Sequence, residues 1–238
     1  MSIRSVSPAP DRAAPRMPLG PRLPGSPRPA AATEHPLVDD AAFEGLAFGD
    51  LDLSGQSGHG VEFNRCRLRG TDLSGTTLER AVVGDCELES VNLANLRAER
   101  STLLRSRLTA LRMTGTHWAN GSLREVLITR CRLDLASFRF TTFKQVVFDG
   151  CNLTRADFQN ADLRGVRFHG CDLSGAQFSH AKLAGARFVN CELTGIGGVT
   201  SLAGATVAEA DLIALSHILA TALGIGIERA ETEAPGLP

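Results

Sequence analysis

A chain of 238 residues, 43% of them hydrophobic, is long enough for one large domain, or one domain with tails, around a self-supporting core. Its 25 Lys and Arg nearly balance 26 Asp and Glu, which excludes a global electrostatic pull toward nucleic acid or membrane. Six cysteines in a chain of this size do not point to a small disulfide scaffold.

Residues 1–40 differ from everything after them. Nine of the 11 prolines lie there, at positions 8, 10, 15, 18, 21, 24, 27, 29 and 36, among Ala, Ser and five Arg. Such a stretch buries too little apolar surface to offset its ordering entropy, and proline removes backbone donors. The composition predicts a disordered Pro/Arg-rich tail over 1–40. It lacks the apolar central run of a secretory signal.

From residue 41 to 195 the chain is written in five-letter words, as in CNLTR, ADFQN, ADLRG, VRFHG and CDLSG at 151–175. The frame runs without a slip from the central residue Phe43 to Leu193, and Gly58 is the single centre that is not apolar. Two residues before each centre stands a small or apolar residue, Gln56 excepted. The neighbours of the centre are mostly polar, as at Asn152, Asp157, Asp162, Arg167 and Asp172. Each word therefore has two inward positions and three outward ones. Neither helix nor strand has a period of five, so five residues are read as one wall of a coil. Successive coils pair their walls at the strand spacing of about 4.8 Å.

ADFQN, ADLRG and CDLSG carry a resemblance to the pentapeptide-repeat family, whose motif is A(D/N)LXX. The resemblance implies an all-β solenoid, a right-handed quadrilateral β-helix with four words per coil. Residues 20 apart should then stack, and the sequence repeats at that interval: Cys66 and Cys86; Cys131, Cys151, Cys171 and Cys191; Phe138, Phe158 and Phe178; Phe148, Phe168 and Phe188. The irregular word QSGHG at 56–60 is open to three readings: a loop, a kink or a weak coil. Words between Leu96 and Glu125 also depart from the motif and predict a local distortion of the rod.

Residues 196–238 are expected to form a helical cap and tail. Leu212, Leu215, Ile218, Leu219 and Leu223 have helical spacing over 207–223, Thr206 with Glu209 makes a capping box, and Gly224 supplies a stop. This helix should cover the last coil. The family resemblance implies that its spare apolar face, or the following 225–227, serves a homodimer contact. The longest apolar stretch, Leu212 to Ile227, is too short to span a bilayer, so no membrane association is expected and the expected location is cytoplasmic, which fits free cysteines.

No residue is assigned a catalytic, cofactor-binding or metal-ligating role, and no cofactor is expected. Every Cys takes an inward position that Ala and Val also take, stacked along a wall rather than converging on a point. The six His (35, 59, 117, 169, 180 and 217) are scattered and pair with no nucleophile. GHG in QSGHG lacks the lysine of a phosphate loop. Outward charge is mixed: residues 41–195 carry 19 Lys and Arg against 17 Asp and Glu. Asp52 and Asp72 start an acidic column that Arg112 and Arg132 continue. Arg67, Arg107, Arg167 and Arg187 make a basic one that Glu87, Leu127 and Val147 interrupt, so there is no strong nucleic-acid signal. These features predict a nonenzymatic scaffold for an unidentified protein partner. Some relatives imitate the shape and acidity of B-DNA and protect DNA gyrase from fluoroquinolones. The alternative implied by the resemblance, a gyrase- or topoisomerase-binding protein of this kind, is disfavoured by the non-acidic surface.

Overall fold

The computed structural model describes residues 16–226. Every paired strand in the repeat region is parallel to its neighbour and displaced by 20 residues: Phe43 faces Phe63, Leu68 faces Leu88, and Leu108, Ile128, Phe148, Phe168 and Phe188 follow one another up a single wall. Twenty residues at five per wall close one four-walled turn. The result is a parallel β-solenoid of about nine turns with one C-terminal helix.

The corner explains the length of the word. From Asp40 to Gly195 every fifth residue has a positive φ, between 43° and 74°, the left-handed backbone conformation that turns the chain onto the next wall. Glycine takes this conformation without a steric penalty. Elsewhere the corner holds residues such as Asn95, Arg105 and Asp85, and in no case a β-branched one. Between corners the backbone is satisfied by the adjacent coils: the Leu53 amide donates to the Asp72 carbonyl, and the Asp72 amide donates back to Leu51, both at 2.8 Å.

The two inward positions of each word form one continuous core from Leu37 to Leu215. Polar residues in that core have a specific task. Thr71, Ser101, Thr116 and Thr141, all fully buried, donate to the carbonyls of Phe48, Leu78, Leu93 and Trp118, each 23 residues earlier. A hydroxyl at the first inward position thus satisfies a carbonyl that faces the dry interior.

QSGHG is a regular wall, not a kink. Ser57–His59 pairs in register with Thr77–Glu79. Gly58 is small because the incoming chain crosses the open end of the solenoid there: a Cβ on it would lie 2.6 Å from Val61 and 3.1 Å from the Leu37 carbonyl. Leu37 plugs the end at 2% exposure, and Gln56, the one long polar side chain at the first inward position, accepts the Leu37 amide at 2.9 Å. The expected distortion between Leu96 and Glu125 is absent as well. Thr102–Thr109 and Ser122–Thr129 stack there in register, and the stack continues onto Thr142–Asp149, because Leu, Ile, Val and Phe supply the inward bulk whatever the outward letters are.

The disordered tail expected over 1–40 is corrected for its described part. Residues 16–40 lie against the rod: Arg28–Pro29 pairs with Leu46 and Ala47, and the Leu19 amide donates to the Glu125 carboxylate at 2.7 Å. Composition missed this because the segment builds no core of its own and uses the surface of the finished solenoid instead. Residues 1–15 lie outside the described residues.

At the other end, Thr206–Val207 adds a last strand to Arg187 and Phe188, and the helix begins later than expected, at Leu212–Ala222. The capping box of Thr206 and Glu209 does not form, since Thr206 is in that strand and Glu209 opens a short 3-10 turn. Asp211 instead accepts the Cys191 amide at 2.9 Å and ties the helix start to the last coil. Leu215 is buried against the core with Ile218 and Leu219 alongside, so the helix covers the coil. Gly224 stops it as expected: with φ at 71° it donates to Thr221, and Ile225 donates to Ala220, which closes a Schellman turn. Residue 227 and those after it lie outside the described residues.

Candidate interaction surface

The walls hold outward side chains in straight files one coil apart. The file that begins with Asp52 and Asp72 continues through Asn92, Arg112, Arg132 and Asn152 to Asp172 and Glu192. It is acidic at both ends and basic in the middle. Asp72 is held below the usual carboxylate range by hydrogen bonds from Ser74, with Asn92 adding two contacts at 3.1 and 3.2 Å. A neighbouring file runs Arg67, Glu87, Arg107, Leu127, Val147, Arg167, Arg187. Opposite charges meet along it, as at Arg67 and Glu87, 3.5 Å apart.

The cysteine ladder stacks as the 20-residue spacing requires. All six thiols are buried and free. Each donates to the carbonyl 23 residues earlier, for example Cys66 to Phe43 at 3.4 Å, Cys151 to Ile128 at 3.4 Å and Cys171 to Phe148 at 3.5 Å. The thiols thus do weakly what the Thr and Ser hydroxyls do elsewhere in the core. Cys151 and Cys171 are pushed up to about 12, first by hydrogen bonding to the thiol of the preceding coil and further by burial, which keeps them protonated and unreactive. Among the described residues no group of three or more His, Cys, Asp or Glu is placed to hold a metal ion. His169 points outward, with its Nδ1 2.8 Å from Asp149, while Cys171 points inward. No helix among the described residues is long and apolar enough to cross a membrane.

Two apolar features escaped the sequence reading. Leu135 and Phe140 occupy consecutive corners in the left-handed conformation and are 58% and 53% exposed. Their signal was available: both stand at the fifth letter of a word, where the chain otherwise places Gly or, with few exceptions, a polar residue. At the helical end Leu212, Ile213, Leu223 and Ile225 are also exposed.

Family models fit this architecture at two places. Residues 39–75 match pentapeptide repeats (8 copies), and residues 129–197 match a pentapeptide repeat region. The chain belongs to the pentapeptide-repeat family. The unmatched stretch between those blocks is where the outward letters drift while the coils stay in register. No curated protein matches the sequence. Among solved structures, a trypsin-treated form of QnrB1, a plasmid-mediated fluoroquinolone resistance protein, is 17% identical, with 82% of this chain and 95% of that one covered and a TM-score of 0.37. Full-length QnrB1 is 18% identical, with 78% and 100% covered and a TM-score of 0.34. HetL, a pentapeptide-repeat protein involved in heterocyst differentiation regulation in the cyanobacterium Nostoc, is 19% identical, with 71% and 85% covered and a TM-score of 0.26.

Proposed function

We propose that this pentapeptide-repeat protein is a nonenzymatic, cytoplasmic scaffold that presents a rigid surface to a protein partner. The observation that carries this reading is the fixed file of mixed charges, Asp52 to Glu192, on walls built over one continuous core. Side chains already held in place lose little freedom on binding, so a stiff rod binds with a small ordering cost. The exposed corners Leu135 and Phe140 supply the apolar contact that a charged file lacks. Affinity capture from lysate with the full chain, compared with a Leu135→Asp/Phe140→Asp variant, tests the reading. A partner recovered with the first and lost with the second supports it; a chain that returns alone overturns it.

The exposed apolar side chains on the outer side of the helix fit a second copy of the chain, since exposed clusters of large apolar residues mark contact surfaces. Light scattering should then give a dimer that Ile213→Asp dissociates. A topoisomerase-binding role of the DNA-mimic kind needs unbroken carboxylate files, which Arg112 and Arg132 interrupt. A gyrase supercoiling assay with and without a quinolone is accordingly expected to show neither inhibition nor protection.

A further inference from the structure

Four prolines in the segment that lies on the rod, Pro18, Pro21, Pro24 and Pro27, are spaced by three. All four are half-buried, while residues 19, 22, 25 and 26 between them are exposed. Proline fixes φ near the polyproline II value, and that helix repeats every three residues with a rise of about 3.1 Å per residue, or about 9.3 Å per turn. Two coils of a solenoid at strand spacing rise about 9.6 Å. The two repeats are commensurate, and the contacts follow that match. The Arg16 carbonyl accepts from Arg167 at 2.6 Å, the Leu19 amide donates to Glu125 at 2.7 Å, and the Arg22 amide donates to Asp85 at 3.1 Å. Each step of three residues along the segment crosses about two coils of the rod.

The receiving surface is one corner file, Arg65, Asp85, Arg105 and Glu125, which alternates in charge. Its carboxylates accept peptide N–H groups and Arg65 donates to the Arg22 carbonyl at 3.3 Å. Between them Arg105 clamps Asp85 with two bonds, at 2.9 and 2.5 Å, and so fixes the acceptor that meets Arg22. Glu125 is a corner carboxylate, a position normally open to water, yet it is only 8% exposed under the segment. The segment's hydrogen bonds to the file are all made by its peptide backbone, with the Arg22 charge adding attraction to Asp85, and the proline spacing sets which backbone groups meet the file.

We propose that the file Arg65–Asp85–Arg105–Glu125 is a docking rail for a polyproline-type segment with prolines three apart, and that residues 16–27 of the same chain occupy it as a strap. The strap closes this wall to other proteins until it is displaced, and a proline-rich segment of matching spacing is the ligand class that competes with it.

Amide hydrogen exchange on the full chain tests the rail. The amides of Leu19 and Arg22 are expected to exchange at least about 10-fold more slowly than in a synthetic peptide of residues 16–29. Exchange at the peptide's rate overturns the proposal. In Glu125→Ala, Leu19 should lose its protection and trypsin should cut after Arg22 at least about fivefold faster, while the melting temperature of the solenoid stays unchanged; unchanged exchange at Leu19 overturns the role of Glu125. One alanine inserted between Gly20 and Pro21 breaks the match of three residues to two coils. Protection should then be lost at Leu19 or at Arg22, and retention at both would show that the spacing is irrelevant.

Discussion

The middle and the C-terminal coils of the rod fill the same four-walled interior differently. Toward the helix, phenylalanines stack coil upon coil: Phe138 on Phe158 and Phe158 on Phe178 at 5.4 and 5.3 Å, Phe148 on Phe168 and Phe168 on Phe188 at 5.1 and 5.0 Å, all within 12° of parallel. The two stacks meet edge to face, as at Phe158 and Phe168, 6.0 Å apart and inclined by 76°. Beyond the Phe43, Phe48 and Phe63 cluster at the N-terminal end, the middle coils are mostly leucine, with Ala98, Met113 and Trp118 irregularly placed around an apolar cavity of about 40 Å³. The first inward position there often carries Thr or Ser, and later Cys, Ala or Val. The solenoid thus needs inward volume and a donor for interior carbonyls, and two different sets of residues meet both needs.

The largest effect is expected at the stacked rings. Phe158→Ala removes a fully buried ring that touches both stacks and should cost about 3–5 kcal/mol in urea unfolding. Alkaline titration comes next. Cys151 and Cys171 are raised from 9.0 to about 12 in the fold. An acid whose pKa is raised by folding ionises first in the unfolded chain, so the stability present below about pH 9 should fall as pH rises from 9 toward 12. Melting curves from pH 8 to 11 check this, and Cys151→Ser with Cys171→Ser should flatten the decline. A third substitution tests the donor role: Thr141→Val strands the Trp118 carbonyl and should cost about 1–3 kcal/mol, whereas Cys151→Ser keeps a donor for Ile128 and should stay within about 1 kcal/mol of the parent. The smallest effect belongs to the outer walls. Arg69→Ala breaks a pair with Glu89 whose side chains are 77% and 52% exposed, and the same urea measurement should register about 0–1 kcal/mol.

Much of the rod was legible because a word of fixed length acts twice, once on the side chain and once on the backbone. The inward pair at Cys151 and Leu153, or Ala156 and Phe158, is read from polarity alone, and the stacking of Cys151 with Cys171 follows from four words per turn. Gly58 and Gln56 were visible as irregular letters but not as an end plug, because their cause is Leu37, which lies outside the frame. The capping box failed for a related reason: Thr206 had a stronger partner in Arg187 of the last coil than any local helix start offered. The strap was hidden deepest. Composition measures whether a segment can bury itself, and residues 16–27 make their contacts through backbone groups to Glu125 and Asp85, more than sixty positions away in sequence.

The left-handed residue at every corner has a consequence for how such a chain can change in length. Deleting or duplicating a single word would rotate everything downstream by a quarter turn, move each phenylalanine stack to a different face and scramble the charge files. Four words added or removed together would instead lengthen or shorten the rod with every face preserved, so its size is quantised in whole turns.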